Sequence, residues 1–244
     1  VVLGIYWFLY QSIYINFTKQ LIKHKTKNVF SVMFHANLSL LVIGLFNTVI
    51  LWDLTTFPPT IAYEFKDHGG CACCVAFHPI QPLLAIGLSN TTVLLYDIST
   101  FPPTIQQRLK HHKRCVNSVA FHLRFSLIAT GSNDNTVILY DITTTPEIIQ
   151  HHFQDHHQNV VSVAFHPHFL ILASGSWDDY VILYDVSILP PIIRHSLNNH
   201  TSWVNCVVFH PSLPFLATGS QDCSTLLYDI SAFSFSLSST LTTR

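Results

Sequence analysis

Charge is scarce in this chain: 12 Lys and Arg stand against 13 Asp and Glu in 244 residues, for a formal charge of −1. Binding to nucleic acid or an anionic surface needs several Lys or Arg on one face. The two short basic stretches, Lys19 to Lys27 and Lys110 to Arg114, fall between strand-like segments and read as solvated loops. Nucleic acid is therefore not an expected partner. Long apolar runs are missing too. The most apolar stretch, Val1 to Phe17, is interrupted by Gln11, Ser12 and Asn16 and lacks a basic leader, so it fits neither a membrane span nor a signal peptide. Membrane insertion is not expected, and a cytoplasmic location is. No segment keeps a 3.6-residue apolar period, which argues against a helical fold.

What the chain has in abundance is repetition. Phe-His ends at His35, His78, His122, His166 and His210, with one interval of 43 residues and the others of 44. Leu-Tyr-Asp or a variant ends at Asp53, Asp97, Asp141, Asp185 and Asp229, always 44 apart. A period of this size marks an array or a propeller. Aligned on these anchors, the units share a His, three variable residues, Val-x-x-Val-x-Phe-His, a turn that often holds Pro, Leu-Ala-x-Gly-Ser, a polar turn and an apolar run closing on Tyr-Asp. Segments such as Val160 to His166, Leu170 to Ser176 and Tyr180 to Asp185 are short, rich in Val, Ile, Phe and Tyr, and bounded by Pro, Gly or Asp. That is the pattern of antiparallel hairpin strands.

These residues resemble the WD40 repeat family, whose units combine Gly-His, a Leu-Ala-Ser-Gly-Ser strand, an Asp turn and a closing Trp-Asp. The resemblance implies an all-β propeller of four-stranded antiparallel blades. It also implies a hydrogen-bonded tetrad in each blade, made by the His, a Ser or Thr of the second strand, the turn Asp and the closing Trp. Carried over by position, the slots are His112, Thr130 and Asp134, then His156, Ser174 and Asp178, then His200, Thr218 and Asp222. The fourth slot holds Tyr140, Tyr184 and Tyr228, whose hydroxyls reach farther than an indole N–H. The family's Gly before His is replaced by Asp67, His111, Asp155 and Asn199. The second unit has His68 with Ile86 and Asn90, and the first has Trp52 with Lys25, Ile43 and Asn47, so the first two blades are expected to be the loosest.

Four-strand sets are read over about 29 to 66, 72 to 110, 116 to 153 and 160 to 197, and a fifth unit has three strands from Val204 to Asp229. Its fourth strand would be either Phe233 to Leu241 or the N-terminal segment around Ile13 to Ile22, the second closing the ring and hiding unpaired edges. The expected domains are 1–28, a degraded partial repeat or ring-closing strand in which Tyr6 to Tyr10 with Gln11 resembles a third strand, and 29–244, the propeller. Five blades are few where seven is the family's common number. Two arrangements stay open: a small closed propeller, and the C-terminal part of a larger one. Phe34, Phe77, Phe121, Phe165 and Phe209 are assigned to packing between blades. The pairs Pro58-Pro59, Pro102-Pro103 and Pro190-Pro191, with Pro146, belong to the passage to each outer strand.

Chemistry has few footholds. Cys71, Cys73 and Cys74 form the one tight cysteine cluster, but Cys74 and Cys206 align with Ser31, Ser118 and Ser162, and Cys71 aligns with Cys115. Zinc needs four converging ligands, and no second pair stands at suitable spacing, so no metal or cofactor is expected. Of 16 His, nine are explained by the repeat. Doublets such as His111 with His112, His151 with His152 and His156 with His157 point to opposite faces of a strand. No nucleophile recurs near a His as in a catalytic triad, so no enzyme activity is expected.

Function is sought where units differ within a fixed frame. The start of the first strand and the turn between the second and third strands fall at the same end of each blade, which in the family is the usual partner-binding face. Asn117, Asn133, Asn159, Trp177, Trp203, Asn205 and Gln221 stand there. Trp177 and Trp203 belong to neighbouring blades, and a large aromatic on a rigid turn is a common interface anchor, with amides to satisfy a peptide backbone. The alternative for either Trp is packing over the neighbouring turn. The expected function is a non-catalytic protein-interaction scaffold, whose double Trp→Ala variant loses partner capture with thermal unfolding nearly unchanged. Competing readings are a structural subunit of a coat or cytoskeletal assembly, and a metal-binding or enzymatic propeller using the His-rich loops.

Overall fold

The computed structural model describes residues 28–66, 68–144 and 148–231. All regular elements among them are strands. Five or six residues of β-branched or aromatic character between turn residues are enough for a strand and too few for a helix, so each unit folds back on itself as a meander. The first unit forms β1 (Val29–Phe34), β2 (Leu40–Leu45), β3 (Val49–Asp53) and β4 (Thr60–Phe65). The second forms β5 (Ala72–Phe77), β6 (Leu83–Leu88), β7 (Val93–Asp97) and β8 (Thr104–Leu109). The third forms β9 (Val116–Phe121), β10 (Leu127–Ser132), β11 (Val137–Asp141) and β12 (Ile148–Phe153). The fourth forms β13 (Val160–Phe165), β14 (Ile171–Ser176), β15 (Val181–Asp185) and β16 (Ile192–Leu197), and the fifth β17 (Val204–Phe209), β18 (Phe215–Ser220) and β19 (Thr225–Asp229).

Each of the first four sets is one antiparallel sheet in chain order, and the fifth is a three-stranded sheet. These are the four-stranded blades expected from the repeat. Both candidates for a further strand, Ile13 to Ile22 and Phe233 to Leu241, lie outside the described residues, as do 1–27, Asp67 and Pro146. The first strands pack side by side, β1 on β5, β5 on β9, β9 on β13 and β13 on β17. The core is accordingly a series of seams. One apolar cluster joins Val42 and Val49 to Ala72, Val75 and Phe77, another joins Cys74 and Ala85 to Val116, Val119 and Phe121, and the pattern continues through the fourth and fifth blades.

The seam explains two repeated motifs. A Cβ added to Gly131 would lie 2.7 Å from Val160 Cγ1 and 3.1 Å from Val163 Cγ1, and one added to Gly175 would lie 2.8 and 2.9 Å from Val207 and Val204. Glycine in the second strand thus lets the next blade's Val-x-x-Val close in. The Phe-His pair works across the same seam. The ring of His35 lies 5.0 Å from that of Phe77, His78 5.2 Å from Phe121, His122 5.3 Å from Phe165 and His166 5.1 Å from Phe209. Within its own blade the same His accepts at Nδ1 the N–H groups two and three residues on, as His166 does from His168 and Phe169 at 3.0 and 3.1 Å.

The two ends of the series differ from its middle. Phe77, Phe121 and Phe209 are buried as packing residues should be, but Phe34 is 53% exposed, with Val29 and Val32 at 56% and 51%. Each lies on the face that later blades pack against the blade before them, and the described residues include no blade before the first. At the other end, nothing lies within 4 Å of a Cβ added to Gly219.

Candidate functional site

One backbone hydrogen bond in each of the second to fifth blades defines the variable end, here called the mouth. Ser89 N–H donates to Cys71 O at 2.9 Å, Asn133 to Cys115 at 2.9 Å, Trp177 to Asn159 at 3.0 Å and Gln221 to Trp203 at 2.9 Å. In these four blades the start of the first strand and the turn after the second strand are thereby fastened together. The register then shifts by one residue at the mouth end of every first strand. The extra residue is Phe30, Cys73, Asn117, Val161 or Asn205. A bulge leaves that residue out of the ladder and re-aims its side chain, so the sequence can vary there without disturbing the frame.

What these side chains do differs from seam to seam. Trp177, on the β14–β15 turn, and Trp203, just before β17, stack with ring centroids 4.4 Å apart and planes 13° from parallel. Trp177 is half-buried, whereas Trp203 remains 39% exposed. Asn205 and Gln221 beside them in sequence are exposed, and Asn159 is half-buried. On the third blade, Asn117 Nδ2 donates to Asn133 Oδ1 at 2.6 Å and to Val160 O at 3.0 Å. The period gives the blade of each residue, but it does not reveal which of them touch.

The tetrad slots lie inside the blades, at the mouth end. His112 Nδ1–H donates to Asp134 Oδ2 at 2.9 Å while Nε2 lies 2.7 Å from Thr130 Oγ1. The corresponding distances are 2.9 and 2.6 Å for His156 with Asp178 and Ser174, and 2.9 and 2.8 Å for His200 with Asp222 and Thr218. Each carboxylate also accepts a backbone N–H of the preceding loop, from Lys113, His157 or Thr201. Burial would raise Asp134 and Asp178, but the hydrogen bonds from His112 and His156 and from neighbouring groups outweigh it and hold both below the ordinary carboxylate range. Asp222 is lowered chiefly by the Ser224 hydroxyl.

The tyrosines extend this arrangement in a way the positional match does not supply. Tyr228 Oη donates to Asn199 Oδ1 at 3.3 Å. The Tyr184 hydroxyl is raised by burial and by Asp155, with Ser174 acting the other way, and the Tyr140 ring lies 5.6 Å from that of His111. His111, Asp155 and Asn199 are the residues standing where the family has Gly. In the fifth blade the longer reach of the phenol is met by a side chain that glycine lacks, so there the two departures are spatially coupled, whereas in the fourth the buried Tyr184 hydroxyl has no hydrogen-bond partner among the described residues. In the second blade Asn90 Nδ2 donates to His68 O at 3.1 Å. In the first, the indole nitrogen of Trp52 is buried with no hydrogen-bond partner among the described residues.

A polar cleft of about 280 Å³ borders this region, lined by His111, Lys113, Asp134, His152, Gln154 and His156 among others. Two of these already serve the tetrads. Among the described residues no group of three His, Cys, Asp or Glu is placed to hold a metal ion, and no helix is long and apolar enough to cross a membrane.

The model of the WD domain, G-beta repeat family (WD40) matches residues 60–97, 103–141, 148–185 and 192–229. Each match runs from the outer strand of one blade to the closing Asp of the next. No curated protein matches the chain.

Proposed function

We propose, on the premise that the chain belongs to the WD40 family and that WD40 repeats generally mediate protein–protein interaction and scaffolding, that its mouth face captures a segment of another protein and holds it in a larger assembly. The observation that carries this reading is the Trp177–Trp203 stack, which keeps Trp203 39% exposed. Two stacked indoles make a flat apolar shelf with little side-chain freedom left to lose, the profile of an interface anchor. Asn205, Gln221 and Asn159 surround it with amides that can both donate to and accept from a peptide backbone. Asn117 and Asn133, bonded to each other, form the more rigid part of the same surface on the third blade.

The partner suited to this shelf is a polypeptide with an apolar or aromatic anchor, since the chain carries few charges of either sign. The proposed role is non-catalytic and its proposed setting is the cytoplasm. A photo-crosslinking residue at Asn205, compared with one at Ile192 on the outer strand of the fourth blade, tests the face directly. Label transfer to one protein from position 205 alone is expected; equal or preferential transfer from position 192 would overturn the assignment.

A further inference from the structure

Cys73 and Cys115 stand 42 residues apart in sequence, yet their sulfurs lie 3.2 Å apart. Cys73 is the bulge residue of β5 and Cys115 immediately precedes β9, so the pair spans the seam between the second and third blades. At the next seam the equivalent of Cys73 is Asn117, whose amide bonds Val160 O across the blades. A polar side chain is therefore sufficient to bridge this position, and two thiols bring a reactivity that the bridge does not require.

Both thiols are free and half-buried, within reach of a small oxidant. The other cysteines are placed differently. Cys74 is buried, with its sulfur 3.7 Å from Val116 O and its thiol pushed up by that burial. Cys71 has its N–H held by Ser89 Oγ, and Cys223 is exposed on the fifth blade.

We propose that Cys73 and Cys115 form a dithiol site that a hydroperoxide oxidises to a disulfide joining the second and third blades. Cys115 is the attacking sulfur. The hydrogen bond from Cys73 holds its thiol below the ordinary value against the opposing effect of burial, and the same bond, together with burial, raises Cys73. The Cys115 thiolate attacks one peroxide oxygen, the O–O bond breaks, and the departing oxygen takes a proton to leave as water or an alcohol. Cys115 is then a sulfenic acid. The Cys73 sulfur gives up its proton and attacks the sulfenic sulfur; the S–O bond breaks, hydroxide leaves and is protonated to water, and the S–S bond forms. The two thiols lose two electrons and the peroxide gains them. Closure requires the sulfurs to approach by roughly 1 Å, to the usual disulfide length of about 2.05 Å.

The site does not depend on the partner-binding reading and is tested without a partner. The full chain is treated with hydrogen peroxide, its remaining thiols are blocked with a maleimide, and it is digested with trypsin without reduction. Cleavage after Lys66, Arg108, Arg114 and Arg124 separates the peptide holding Cys71, Cys73 and Cys74 from the peptide holding Cys115. The expected product is these two peptides joined and two hydrogens lighter, with fragmentation locating the bond at Cys73 and dithiothreitol reversing it. Cys73→Ser should abolish the link and leave Cys115 overoxidised, while Cys71→Ser should leave the link intact. Absence of the linked pair in the wild type while Cys223 is oxidised would overturn the proposal, as would a link that survives Cys73→Ser.

Discussion

Trp177 and Trp203, on adjacent blades and 26 positions apart in sequence, stack with a 4.4 Å centroid separation and a 13° interplanar angle. The stack places an interface anchor and a blade-to-blade contact in the same pair of side chains. An anchor serving binding alone would leave unfolding untouched when removed. A stacked aromatic pair contributes about 0.5 to 1.5 kcal/mol beyond its buried area, so removal must also loosen the seam between the fourth and fifth blades.

A double-mutant cycle of Trp177→Ala and Trp203→Ala, read by urea unfolding at pH 7.5, should therefore give a coupling energy of about 0.5 to 1.5 kcal/mol. Strict additivity would mean that the rings do not support each other in solution.

The glycine-to-valine seam makes a sharper contrast. Gly131→Ala would bring a methyl group to 2.7 Å from Val160, whereas Gly219→Ala meets nothing within 4 Å. Overpacking of this kind costs about 1 to 3 kcal/mol, while an unopposed substitution stays within about 0.5 kcal/mol. Chemical unfolding of the two variants should differ by that margin. An equal cost at Gly219 would mean that its face is covered in solution.

Val160 to Phe165 is legible as a strand because its residue types, its flanking turns and its 44-residue recurrence agree. His112, Thr130 and Asp134 are legible as one set because a repeat aligns them by position. The Cys73–Cys115 and Trp177–Trp203 contacts are not legible in this way. Both cross a seam, and what touches across a seam depends on the packing of one sheet on another, which periodicity does not encode. The exposure of Phe34 has the same origin: its residue type suits packing, but the packing partner would belong to a preceding blade. The partnership of Tyr228 with Asn199 could have been sought from the paired loss of Trp and Gly, two departures from the family pattern in one blade.

Removing a tetrad carboxylate should be costly where the His, hydroxyl and Asp members are bonded to one another. Asp178→Ala takes away acceptors of His156 Nδ1–H and His157 N–H, and hydrogen bonds to a charged group are worth about 1.5 to 3 kcal/mol. Asn90→Ala in the second blade should cost less, about 1 kcal/mol. Hydrogen exchange of the wild type should accordingly show faster opening of β1–β8 than of β9–β16. Uniform protection across the blades would contradict this ordering.

Acid should loosen the seams before it reaches the carboxylates. Burial lowers His35, His78, His122 and His166, the last to about 4 with further contributions from His168 and His122. Their Nδ1 atoms accept backbone hydrogen bonds, which protonation there would break. Below pH 6.5 the unfolded chain takes up protons that the folded chain refuses, so stability is full above that pH and falls toward pH 4. Asp134 and Asp178, held low in the folded state, add a second loss below about pH 4. The urea midpoint should be flat from pH 7 to 8 and decline from pH 6.5 downward. A flat profile to pH 5 would contradict the assignment.

The central claim is that the Trp177–Trp203 shelf binds another protein, and its most direct test is the affinity of a partner identified by crosslinking from position 205 for the wild type and for the Trp177→Ala, Trp203→Ala variant, at a urea concentration of zero and with folding verified by circular dichroism. Loss of a hot spot of at least about 2 kcal/mol predicts an affinity at least about 30-fold weaker in the folded variant. An unchanged affinity in a folded variant would contradict the claim.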